Sequence, residues 1–230
     1  MSISNDVPAN SFERRGFLGR LATGAMAFAA TSLFVRPAHA AARLSTIADD
    51  EPWLKALAGK KHKQVFDGAN INQGFPLMFA SAYMGTMAAA YKLAPTDVGA
   101  IVVARHFGMP MLLNDAMWAK YQIGKMVGVM DPVTNAPSTR NLFYKSKAGD
   151  MMNTAASIDK LQAAGAVLGA CNVAMTVMSG MAAAQMNMKA EDAYAEWKAG
   201  LLPGAYLMPS GVLAVGRAQE AGCTYCYGGG

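Results

Sequence analysis

Residues 98 to 106, VGAIVVARH, set the strongest constraint on what this chain can fold into. The run opens with seven apolar or glycine residues, and Val98, Ile101, Val102 and Val103 are β-branched. A half-wet strand alternates apolar with polar, and an amphipathic helix repeats every three to four residues. This stretch does neither. It reads as a strand covered on both faces, and such strands belong to parallel sheets.

Parallel strands need crossovers, and the surrounding sequence alternates accordingly. KQVFDGAN (63–70) reads as a first strand ending in a turn. AVLGAC (166–171) reads as a third, GAYLMPSG (204–211) as a strand end and turn, and CTYCY (223–227) as a last strand. Between them lie helical stretches. FPLMFASAYMGTMAAAYKL (75–93) has Pro76 at an early position. SIDKLQAAG (157–165) closes on Gly165. A helix from Asn172 to Met186 follows, then KAEDAYAEWKAGLL (189–202) and GVLAVGRAQEAG (211–222). DDEPWLKAL (49–57) suggests a short helix or an arm, with Pro52 in its first turn. The expected fold class is therefore α/β. It has three layers, a mostly parallel five-stranded sheet with helices on both faces, and a flavodoxin-like strand order. A main domain spans 63–230, preceded by an arm over 41–62. Residues 107–156 form an irregular helical insertion, with NDAMWAKYQIGKMVG (114–128) read as helical.

The first 40 residues read differently. Arg14 and Arg15 precede an apolar, alanine-rich stretch, which closes on Ala38-His39-Ala40, a small-x-small cleavage signal. The order Arg-Arg-Gly-Phe-Leu resembles the twin-arginine export signal. The competing reading, an uncleaved anchor, has the length of Gly16 to Val35 in its favour and Arg20 against it. Export with cleavage implies a partner, the twin-arginine translocase, and a mature periplasmic chain that does not span the membrane. Thiols there meet an oxidising environment. The net charge of +5 is inflated by this segment; without it 16 basic residues face 13 acidic ones. Beyond GKKHK (59–63), with His62, no basic stripe stands out, so nucleic acid is not an expected partner.

In parallel α/β sheets, ligand-facing residues gather where strands end and helices begin. Cys171 stands at such a junction. Backbone N–H groups at a helix start favour the thiolate of a cysteine placed there. The alternative is an inert small hydrophobe. Cys223 and Cys226 form a C-x-x-C, open to a disulfide, to redox chemistry or to two separate thiols. In a regular strand, residues three apart point to opposite faces, and no helix follows to activate the pair. His106 ends a strand and is a candidate proton donor in the same cleft as Cys171, or a structural histidine. His106, Met109 and Met111 together offer imidazole and thioether ligands suited to copper, but methionine, present 18 times, also fills cores. Nothing in the sequence calls for a cofactor. The phosphate-loop, dinucleotide and nucleophile-elbow glycine motifs are missing from residues 41–230.

Two stretches, LQAAGAVLGACNVAM (161–175) and MPSGVLAVGRAQEAGCTYCY (208–227), resemble the DsrE/DsrF family of small sulfur-handling α/β proteins. The first carries helix, glycine, apolar strand and cysteine. The second carries a Pro-x-Gly-Val turn, a helix, a glycine and an aromatic last strand. The resemblance implies a DsrEFH-like fold, a homo-oligomer, and a persulfide carried on the cysteine at position 171. Sulfur would pass from a donor to an acceptor thiol protein. Relay members of that family are cytoplasmic, whereas this chain is expected to be exported.

Expressed with a working twin-arginine translocase, the periplasmic protein is expected to begin at Ala41 by N-terminal sequencing. Arg14→Lys/Arg15→Lys is expected to leave full-length precursor in the cytoplasm, and equal export of the two would overturn the reading.

Overall fold

The computed structural model describes residues 51–150, 152 and 154–229. The expected export segment, with Arg14, Arg15, Ala38 and Ala40, lies outside the described residues. Five strands form one all-parallel sheet: β1 (His62–Gly68), β2 (Val98–Ala104), β3 (Val167–Cys171), β4 (Tyr206–Met208) and β5 (Thr224–Tyr227). Eight helices are described: α1 (Pro52–Lys55), α2 (Phe75–Ala90), α3 (Asp115–Lys120), α4 (Ile123–Val127), α5 (Ile158–Ala163), α6 (Asn172–Gln185), α7 (Ala190–Ala199) and α8 (Gly211–Glu220). All seven residues of β2 are buried, as a strand covered on both faces must be. Among the described residues no helix is long and apolar enough to cross a membrane.

The strand order is 4-3-2-1-5, which corrects the flavodoxin-like expectation of 2-1-3-4-5. As a rule, crossovers between parallel strands are right-handed, so the direction of a step decides which face its helix covers. Here three steps run the same way, from β1 to β4. Only the last jumps back, to pair β5 with β1. In the flavodoxin order the reversal comes at the first step instead.

The two faces show the consequence. Phe66, Val102, Leu168 and Ala170 point to one side, where Leu77 of α2, Leu161 of α5, Met175 of α6 and Trp197 of α7 cover them. Val65, Ile101, Val103 and Val167 point to the other, beneath Ala214 and Ala218 of α8. Trp53 and Leu57 join this second cluster. The segment from Glu51 onward, expected as an arm, is thus part of the core. Pro52 does sit in the first turn of α1, and Glu51 pairs with Arg217 of α8 at 3.2 Å.

The irregular stretch 107–156 supplies much of the larger core, with Met109, Met111, Leu113, Trp118, Ile123 and Phe143 fully buried. Its expected single helix over 114–128 is two. Asn114 caps α3 by accepting from Met117 N–H, and α3 stops at Tyr121. Gln122 then takes a left-handed conformation (φ 49°) before α4. Trp118 and Ile123, five residues apart, would point well away from each other on one continuous helix. The break lets both enter the core. Side chains replace regular ladders in the rest. The buried Asn141 amide donates to the carbonyls of Met111 and Leu113, and its oxygen accepts from Phe143 N–H. Arg140 bridges Asp131 and Asp150, and the hydrogen bond from Arg140 holds the Asp150 carboxyl below its ordinary pKa.

The turn after β2 lies directly on the end of β1. A methyl group on Gly108 would stand 2.1 Å from the Gly68 carbonyl oxygen, backbone that cannot swing aside. Gly108→Ala is therefore expected to lower the unfolding free energy by about 3 kcal/mol. Gly216→Ala, inside α8 with nothing within 4 Å of the added methyl, is expected to raise it by about 0.5 kcal/mol. Urea unfolding checks both signs.

Candidate functional site

The reversal of the last crossover opens a crevice. From β3 the chain turns onto one face of the sheet as α6; from the neighbouring β4 it turns onto the other as α8. Where adjacent strands send their chains to opposite faces, the carboxyl ends leave a gap, and parallel sheets bind ligands there. A cleft of about 320 Å³ occupies that position. Arg105, His106 and Phe107 enter it from the end of β2, Cys171 from the end of β3, and Ser210 and Val212 from the start of α8. Val177 and Met181 of α6 complete the apolar wall.

Cys171 is both the last residue of β3 and the N-cap of α6, with no loop between. Its backbone is extended (φ −72°, ψ 115°), and its Sγ accepts the Ala174 N–H at 3.3 Å. Sulfur takes the place that a serine or aspartate oxygen fills in most caps. The Ala174 N–H is one of the first amides of a 14-residue helix, the end at which the aligned peptide dipoles place partial positive charge. Cys171 is 5% exposed and belongs to the cleft lining. The start of α6 is tied to α7 by the Tyr194 hydroxyl, which donates to Asn172 Oδ1 at 2.7 Å.

Arg105 follows Ala104, which pairs with Ala170, so the register continued by one residue sets Arg105 beside Cys171. Its guanidinium donates through Nε (2.6 Å) and Nη2 (2.8 Å) to the buried Asp67 carboxylate at the end of β1. Tyr225 of β5 donates to the same carboxylate at 2.9 Å. The hydrogen bond to Asp67 raises the Arg105 pKa, and burial, then the bond to Asp67, raises that of Tyr225. Removing Asp67 would strand a half-buried cation, at a cost of about 3 kcal/mol. Close packing locks the cluster to α8. A methyl group on Gly211 would approach Arg105 Cβ to 2.5 Å and Cys171 Cβ to 3.1 Å.

The other sequence candidates fall in separate places. His106 is exposed at the cleft, with a left-handed backbone (φ 47°) and its ring edge-on to Phe107 at 4.4 Å. It shares the lining with Cys171, as the proton-donor reading requires. Met109 and Met111 are fully buried in the larger core, outside the cleft lining, so the three candidate copper ligands are not gathered around one opening. Among the described residues no group of three or more His, Cys, Asp and Glu side chains is placed to hold a metal ion. His62 is exposed at the start of β1. Cys223 and Cys226 are both unbridged. Cys223 packs into the smaller cluster and Cys226 against the larger one, on opposite faces of the sheet, as the strand period implies. Burial raises the pKa of both thiols; at Cys223 the nearby Lys63 pulls the other way.

Sequence reading missed Arg105, Phe107, Ser210 and the α6 ridge. Arg105 and Phe107 were within reach, because they directly follow the buried strand at its carboxyl end. The ridge was not: MTVMSGMAAAQM shows helical spacing that serves packing and cleft alike. The structure divides it, with Met175 and Met178 buried and Met181 48% exposed.

No family model and no curated protein matches this chain. A solved structure of a protein of unknown function from Methanobacterium thermoautotrophicum aligns with 72% of this chain and 98% of its own. The identity is 17% and the TM-score 0.38.

Cys171 and Cys223 are equally buried, at 5% and 6% exposed, so their order of reaction isolates what the cleft and the helix start add. With iodoacetamide at about pH 8, Cys171 is expected to react before Cys223. Peptide mass spectrometry of briefly treated protein reads this, and labelling of Cys223 first would mean that Cys171 is sealed.

Proposed function

We propose that this protein is an exported, DsrE-like sulfur carrier that holds sulfur as a persulfide on Cys171. The observation that carries the reading is the capped thiol: Cys171 Sγ at the head of α6, 3.3 Å from Ala174 nitrogen, in a residue that lines a cleft at the switch point of a parallel sheet. The sequence resemblance supports the proposed family, and the likeness of residues 14–40 to a twin-arginine signal supports the proposed compartment. A homo-oligomer, a sulfur donor and an acceptor thiol protein belong to the same proposal.

The chemistry is a pair of displacements without net oxidation. The Cys171 thiolate attacks the outer sulfur of a donor R–S–SH. The donor S–S bond breaks, and its electron pair leaves with the donor thiolate, which takes a proton. His106, exposed on the same cleft, is the candidate proton source. An acceptor thiolate then attacks the outer sulfur on Cys171, and the Cys171 thiolate leaves. The Ala174 N–H that caps Sγ stands beside the sulfur that carries the charge before loading and after release.

Polysulfide-treated protein is expected to gain the mass of one sulfur atom, lost again on reduction. The gain persists in Cys223→Ser/Cys226→Ser and is absent in Cys171→Ser. An adduct only on Cys223 or Cys226 would overturn the reading.

A further inference from the structure

The cleft around Cys171 carries more information than the thiol alone. Its walls are apolar and remain uncovered. Val173, Val177 and Met181 recur every four residues along α6, 54%, 56% and 48% exposed, and Val212 (69%) and Phe107 (39%) face the same opening. Its one permanently charged lining residue, Arg105, is engaged twice by Asp67, and no carboxylate joins the lining. A hydrated inorganic dianion entering here would lose water against hydrocarbon with no uncommitted guanidinium to replace it. One end of the cleft differs. The first turns of α6 and α8 both open there, and the Ser210 side chain makes no capping bond to α8. One end therefore suits a single negative sulfur and the rest suits hydrocarbon. The volume of about 320 Å³ lies at the lower end of small-molecule sites.

We infer that the cleft selects an organic hydropersulfide, a neutral S–SH head on a compact apolar body, over inorganic polysulfide as the donor to Cys171. The inference rests on the carrier reading and adds the substrate class. The head meets Cys171 at the two helix starts, and the body lies between Phe107, Val212 and the α6 ridge. The outer sulfur moves to Cys171 as its S–S bond breaks. The organic thiolate departs with the electron pair, takes a proton, and leaves no redox change behind.

The test compares benzyl hydropersulfide with sodium tetrasulfide. Loading of Cys171 is timed by intact-protein mass spectrometry, and each rate is divided by that of the same donor with free cysteine. The normalised rate is expected to favour the benzyl donor by about tenfold or more. Val177→Gln and Met181→Gln, both at exposed helix positions, are each expected to cut that preference about tenfold. Equal normalised rates, or a preference for tetrasulfide, would leave the carrier reading standing and overturn this inference. Loading from neither donor would overturn both. A ridge variant that splits an oligomer in sedimentation while keeping the wild-type preference would assign the ridge to packing between copies, and would also overturn the inference.

Discussion

The handedness of the parallel crossover governs the rest of this molecule. Because parallel crossovers share one hand as a rule, three steps in one direction load α2, α5, α6 and α7 and the irregular stretch onto one face. The returning step has to cross by the other face and carries α8 there. The same reversal sends the chains leaving β3 and β4 to opposite faces of the sheet and creates the cleft. Site and core asymmetry thus share one cause. The larger core lies under the face that receives most of the chain, and the smaller one needs Trp53 and Leu57 to complete it.

Within that frame the polar groups near the cleft serve order before chemistry. Asp67, Arg105 and Tyr225 tie the ends of β1 and β2 to β5 at one edge of the sheet. An Arg105 side chain so committed keeps its position beside Cys171 while its charge is largely cancelled by Asp67. The sulfur then depends on backbone amides for its electrostatic support. These are held in place by the helix itself and need no side-chain rearrangement when charge appears. The three cysteines illustrate how position decides behaviour. Cys171 opens a helix at a strand end. Cys223 and Cys226 flank and occupy an edge strand, where burial favours the neutral thiol and the pleat turns them apart.

Much of the fold was legible because it rests on local pattern. The unbroken apolar run of 98–104 required burial on both faces, and all seven residues are buried. Gly165 after 157–164 and Pro52 at the head of α1 marked boundaries that hold. Cys171 was legible as a junction residue because strand, cysteine and helix follow one another without a loop. Other features answer to distant partners. Nothing in residues 114–128 announces a break at Gln122, since the break serves burial of Trp118 and Ile123 in a core made by other segments. The Arg105–Asp67 pair joins residues 38 apart, and the sequence alone offered no reason to match them among scattered carboxylates.

By itself, the sequence determined that this chain forms a buried parallel sheet with helices on both sides and a cysteine at a strand-helix junction. Those properties follow from periodicity, turn chemistry and the stiffness of β-branched residues, all read over a few neighbours. Only the tertiary structure decided where the single reversal in strand order falls, and hence which strand ends face the same crevice. A right-handed crossover is equally compatible with a step to either side. The choice is made by how the assembled helices fill the two faces, a sum over contacts far apart in the chain.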